Sequence, residues 1–171
     1  MNETRKITLS AMFLAIGQIL PFVTGQIPEI GKMLCPMHIP VLLCGFICGA
    51  RYGAIVGFIC PLLRSVLFNM PVMYPNAIGM AFELMTYGLV SGLLSRKFGT
   101  ESFVKIYATL IIAMIAGRLV WGLAQIVLLG IKGNAFTFSA FLSGALLNAI
   151  PGIILQLLLI PVVVRFTKVY E

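Results

Sequence analysis

Long apolar runs recur along the chain, broken by short clusters of Gly, Pro, Lys, Arg and other polar residues. The first run predicts a helix from about Arg5 to Val23, ended by Pro21 and Gly25. A polar stretch, Thr24 to Cys35, follows and is long for a connector between packed helices, which suits a lid. A second helix is predicted over about Pro36 to Ala50, with Pro in its first turn and Gly45 and Gly49 on a small-xxx-small face. Arg51-Tyr52-Gly53 reads as a tight turn, and a third helix covers about Gly53 to Phe68. The uncharged segment Asn69 to Pro75 turns the chain into a fourth helix over about Asn76 to Leu94. A fifth runs from about Ser102 to Leu129. A sixth runs from about Phe136 to Thr167, with kinks expected at Pro151 and Pro161. No internal repeat is present.

Composition gives these helices their solvent. Of the 171 residues, 60% are hydrophobic and only 10% charged, and mean hydropathy is +1.07. Soluble domains carry roughly a quarter charged residues, so a soluble enzyme, a disordered protein and a nucleic-acid reader are excluded. A span needs about 20 apolar residues, which leaves room for about six. The net charge of +7 then reports orientation. In the six-span layout Arg5, Lys6, Arg51, Arg96, Lys97, Lys105, Arg165 and Lys168 share one side, against Lys32 and Lys132 on the other. Basic residues mark the cytoplasmic side. The expected fold class is therefore all-α integral membrane: six transmembrane helices in one bundle, both termini cytoplasmic, one domain over residues 1–171. Arg5 and Lys6 before an apolar run resemble a signal peptide superficially. No A-x-A-like cleavage site follows, so the run is read as a retained span.

Chemistry is sparse. Asp is absent, and there are five acidic residues and one His. No HExxH, Gly-x-Ser-x-Gly or Gly-rich phosphate loop occurs, so no catalytic residue, metal site or cofactor is expected, and no ATPase motif is present. Cys35, Cys44, Cys48 and Cys60 lack zinc spacing and read as small apolar residues.

Three ionisable residues fall inside predicted spans: Arg64, Glu83 and Arg118. Buried charge in a bilayer is costly and marks function by default. By helical rise Arg64 lies about 16 Å above the cytoplasmic start of its helix, Glu83 about 10 Å below the outer end, and Arg118 about 24 Å above the inner end. All three fall in the outer half, with His38 at the outer mouth and Asn69, Tyr74 and Asn76 in or beside the external turn. Two guanidinium groups and one carboxylate leave one positive charge, which a ligand carboxylate would neutralise. Trp121, Tyr74, Phe82 and Met73 could wall such a pocket, and Asn148 could reach it. The bland alternative is that Glu83 pairs one Arg while the other snorkels or caps carbonyls.

These residues resemble a family. The chain looks like a substrate-binding S component of an energy-coupling factor (ECF) vitamin transporter in length, six-span layout and cytoplasmic termini. The first helix carries Ala11-Met12-Phe13-Leu14-Ala15. In that family such a pattern docks the membrane coupling subunit, which implies that role for Ala11 and Ala15. The runs Pro36-Met37-His38-Ile39-Pro40, Arg51-Tyr52-Gly53, Pro61-Leu62-Leu63-Arg64-Ser65 and Met80-Ala81-Phe82-Glu83 are similar to S components grouped with the pantothenate type. The resemblance implies tight capture of a small-molecule vitamin from outside, at a prokaryotic cell membrane. It implies partnership with a coupling subunit and two cytoplasmic ATPases, toppling in the lipid, and a gate over Thr24 to Cys35. Pantothenate, a small monocarboxylate, suits a cationic pocket. Similar S components serve other vitamins, so cobalamin, a deazapurine precursor and a pyrimidine precursor stay open. A self-sufficient transporter would need a charged relay through the inner half, where no charge is expected. A membrane enzyme would have only Glu83 or His38 as acid or base.

Overall fold

A computed structural model describes residues 1–23, 34–131, 133, 137 and 149–169, with the side chains of 168 and 169 excepted. All described elements are helical. They are α1 (Glu3–Val23), α2 (His38–Cys48), α3 (Ala50–Phe68), α4 (Ile78–Phe98), α5 (Phe103–Ile131) and α6 (Ile150–Val169). A short kinked helical segment, Met73–Ala77, leads into α4. Most of the lid expected over Thr24 to Cys35, and Asn148, lie outside the described residues. The kink expected at Pro151 falls at the start of described α6.

Five helices, counting Met73–Phe98 as one, are long and apolar enough to cross a membrane. The chain is thus a multi-pass membrane protein, and the second helix departs from expectation. At 11 residues, α2 reaches only about 16 Å, roughly half of a hydrocarbon core about 30 Å thick. Its length is cut at both ends. Met37 lies in the turn before it, and Gly49 at φ +94° breaks it. That torsion is open to glycine at no steric penalty. The turn expected at Arg51-Tyr52-Gly53 is accordingly part of α3. Almost every residue of α2 is buried, as an all-round apolar helix should be. It runs through the middle of the bundle, against α1, α3, α4 and α6.

Close approach is built from glycine. Gly53 and Gly57 of α3 face Gly88 and Leu84 of α4, and Gly92 of α4 meets Ala50. A Cβ at Gly53 would lie 2.7 Å from Gly88 O and 2.7 Å from Gly45 Cα. Three helices therefore touch backbone to backbone. In lipid there is no hydrophobic drive between helices, so this packing carries their association. Of the expected pair on α2, Gly45 packs in the seam while Gly49 has nothing within 4 Å and serves the turn.

Both described chain ends lie at one end of the bundle. Tyr52 OH at the start of α3 donates to Glu3 Oε2 at 2.6 Å, and Lys6 Nζ pairs with Glu3 Oε1 at 2.7 Å. Arg165 Nη1 near the end of α6 donates to Glu101 O at 2.5 Å, between α4 and α5. These exposed contacts contribute little energy each, but they fix which helix ends are level.

Gly88→Leu should lower the melting temperature in detergent, with a loss of about 1–3 kcal/mol or more from overpacking. Gly130→Ala, where nothing lies within 4 Å, should leave it unchanged. Scanning fluorimetry of the two purified variants checks the contrast.

Candidate functional site

The centre of the polar interior is Glu83 on α4, only 1% exposed. Tyr87 lies one helical turn further on the same face, and its OH donates to Glu83 Oε1 at 3.0 Å. From α5, Arg118 Nη1 pairs with the same oxygen at 2.9 Å. Gly117 beside it leaves room for the Tyr87 ring, which a Cβ there would overlap. From the first residue of α2, His38 Nε2 approaches Glu83 Oε1 to 3.5 Å, and the imidazole lies 5.3 Å from the Tyr87 ring. Arg118 Nη2 also reaches Cys35 Sγ at 3.8 Å. Three helices thus converge on one carboxylate.

Two features of this cluster bear on what it could do. First, neither ring nitrogen of His38 makes a hydrogen bond among the described residues, although the residue is buried. Buried polar groups are ordinarily paired. Secondly, the Arg118 side chain is 14% exposed against 2% for Glu83. Arg118 is therefore the member an incoming molecule could reach, and its fork carries more donors than Glu83 and Cys35 use.

Arg64 has different partners. It is 3% exposed, and its Nη1 donates to Gln18 O of α1 at 2.5 Å. Its guanidinium lies 5.2 Å from the Phe22 ring centroid and 5.0 Å from that of Phe68. Gln18 reciprocates, donating from Nε2 to Cys60 O of α3 at 3.1 Å. Arg64 thus belongs to an α1–α3 clasp, with cation–π contacts in place of a carboxylate. The sequence reading had Arg64, Glu83 and Arg118 converge with one surplus charge. The structure pairs Glu83 with Arg118 and puts the second cation in another seam. Height along a helix was calculable, but the direction each side chain faces was not.

The remaining expected residues are spread out. Asn69 is exposed and ends α3 at φ +56°, its N–H bonded to Ser65 O. Tyr74 is half-buried, and its OH donates to Leu128 O, tying the Met73–Ala77 segment to α5. Asn76 is exposed. Trp121 is half-buried beside Gly79. Phe82 packs edge-on against Phe58, 6.0 Å between centroids, rather than walling the cluster. Ala11 and Ala15 are exposed on α1. All four cysteines are buried. Sequence reasoning missed Tyr87 and Cys35 as partners of the cluster. Tyr87 was findable, since it stands four residues after an intramembrane Glu. Cys35 was not, because its contact spans 83 residues of sequence.

A family model described as "ECF transporter, substrate-specific component" matches residues 5–164, nearly the whole chain. No curated protein and no solved structure matches it.

Breaking the buried pair should be costly, since the remaining charge stays in the interior without its partner. In a double-mutant cycle on thermal stability, Glu83→Gln with Arg118→Met should show a coupling of at least about 1 kcal/mol, while Glu83→Gln with Arg64→Met adds within about 0.5 kcal/mol. Coupling of Glu83 to Arg64 instead would contradict the two-seam arrangement.

Proposed function

The chain belongs to the family of substrate-specific components of ECF transporters, and we propose that it captures a small carboxylate vitamin, pantothenate being the ligand its sequence resembles most. Members of this family bind substrate for transport and are not themselves enzymes. The observation that carries the reading is the buried His38–Glu83–Arg118 cluster. It holds a partly open guanidinium beside a buried imidazole that makes no hydrogen bond and whose Nε2 lies 3.5 Å from Glu83 Oε1. A ligand carboxylate would take the donors of Arg118 that Glu83 and Cys35 leave, with Glu83 and Tyr87 holding the fork in place. Trp121, Tyr74, Asn76, Asn69 and Asn148 supply the rim in this reading. Arg64 contributes by fixing the outer end of α1, from which residues 24–33 leave.

Orientation follows from charge. Arg5, Lys6, Arg51, Arg96, Lys97, Lys105 and Arg165 gather at the end that holds both chain ends, which we assign to the cytoplasm by the positive-inside rule. The cluster then opens outward. Capture precedes docking on a coupling subunit through Ala11 and Ala15. Toppling in the bilayer carries the ligand inward, and two partner ATPases reset the complex.

Isothermal titration of the detergent-solubilised chain with pantothenate, alongside a vitamin panel, should give one-to-one binding. Arg118→Ala should weaken it at least about 30-fold, in line with about 2 kcal/mol for removing one partner of a desolvated charge pair. Binding of another vitamin keeps the transporter reading and discards pantothenate. Unchanged affinity in Arg118→Ala discards the carboxylate partner. Separately, Ala11→Trp and Ala15→Trp, both on exposed positions, should leave binding intact and abolish ATP-driven uptake in proteoliposomes with the coupling module. Parallel loss of binding would indicate misfolding rather than failed docking.

A further inference from the structure

Gln156 has no role in anything described so far, yet it is 1% exposed and its Oε1 has no hydrogen-bond partner. It stands in the inward stripe of α6 formed by Gly152, Gln156, Ile160 and Val164, which repeats every fourth residue and so follows one face. The two lower members, Ile160 and Val164, join the apolar core. The stripe therefore turns polar at Gln156. It faces α2 and α5, the two helices against which α6 packs. Those two helices carry His38 and Arg118.

Heights agree with this. The Arg165–Glu101 bond makes the lower ends of α5 and α6 level. Gln156 lies about 14 Å along α6 from Arg165, against about 16 Å for Tyr87 along α4 from Phe98 and about 22 Å for Arg118 along α5 from Phe103. Gln156 thus stands near the depth of Tyr87, on the inner side of the Glu83–Arg118 pair. An amide oxygen left unpaired in a membrane interior is unfavourable, since no lipid group can satisfy it. His38, on the neighbouring α2, is in the same condition.

We propose that Gln156 is a substrate-binding residue, the α6 wall of the chamber that His38 and Arg118 border. The proposal rests on the reading of the Glu83–Arg118 cluster as the capture site, and it narrows the substrate. The anionic end of the ligand goes to Arg118. A hydroxyl or amide N–H elsewhere on the ligand donates to Gln156 Oε1, which can only accept. The class is a small acid that carries a hydrogen-bond donor away from its carboxylate. An unpaired donor or acceptor in the empty chamber discriminates strongly against analogues that lack its complement.

Two variants test this. Gln156→Cys in detergent, treated with a small water-soluble methanethiosulfonate reagent, should react faster than the unmodified chain, whose four cysteines are all buried. No reaction above that background would seal Gln156 in the core and overturn the proposal, whatever the ligand. Gln156→Met should keep the melting temperature of the unliganded protein at or above that of the parent while weakening pantothenate at least 10-fold. A lower melting temperature would reveal a structural partner, and equal affinity would remove Gln156 from the site; either outcome overturns the proposal. If Gln156→Cys reacts but the parent binds no pantothenate, the chamber stands and the ligand reading alone fails.

Discussion

A carboxylate inside a membrane bundle must find its cations and donors within the protein. Glu83 imposes that requirement on the helices around it. Its Oε1 accepts from Arg118 and Tyr87 and lies near His38, so α5, α4 and α2 have to meet at a single height. Helices carrying ordinary side chains stand 8–10 Å apart. Here α4 is drawn closer on its other flank, where Gly88 meets Gly53 and Gly45 meets Gly88. The glycine seam and the ion pair are thus two sides of the same helix. One places α4 against α2 and α3 by removing side chains, and the other ties it to α5 with charge. Gly117 serves the second contact by leaving space for the Tyr87 ring.

Polar groups in the interior divide by whether they are satisfied. Ser10, Ser91, Ser95 and Gln18 bond neighbouring backbone groups, as helix-bound hydroxyls and amides do in lipid. Among the described residues, Oε1 of Gln18 and of Gln156, both His38 ring nitrogens and the hydroxyls of Thr100 and Thr109 make no hydrogen bond. A protein selected only for stability would replace such residues by apolar ones of similar volume, which is often neutral or favourable. Of these, His38 stands beside the Glu83–Arg118 pair and Gln156 on a helix packed against α2 and α5, and on the proposed reading both are completed by a molecule that is not part of the chain. Strain of this kind concentrates where function requires it.

Much of the fold was legible because a membrane simplifies the code: a helix shows as an apolar run, and its ends as Gly, Pro or charge. The bounds of α1, α3 and α5 lie within a few residues of those read from the sequence. The shortness of α2 was not legible. Its apolar run continues through Gly49 into Ala50, and only the backbone torsion at Gly49 reveals the break. The site was legible in type more than in arrangement. Glu83, Arg118 and His38 could be singled out as costly residues in the outer half, but rise along a helix gives height without azimuth. Arg64 has suitable chemistry and height, and faces α1. Gln156 was visible in the sequence but could be given no role: a lone Gln in an apolar helix carries no pattern, and the missing partner of its Oε1 shows only in the structure.

The placement of Arg64 bears on how capture and docking could coexist. On the proposed reading α1 presents Ala11 and Ala15 to a coupling subunit. Its described polar ties inside the bundle go through Gln18 to Cys60 and Arg64 on α3, and through Ser10 to Cys44 on α2. None goes to Glu83, Arg118 or Tyr87. A partner pulling on α1 would therefore load the clasp with α3 first and leave the Glu83–Arg118 ion pair intact. The clasp is also the softer of the two joints, since backbone carbonyls and aromatic faces hold a guanidinium less firmly than a desolvated carboxylate does. On the proposed reading, a docking helix joined to the bundle by the weaker seam can move without first dismantling the Glu83–Arg118 pair.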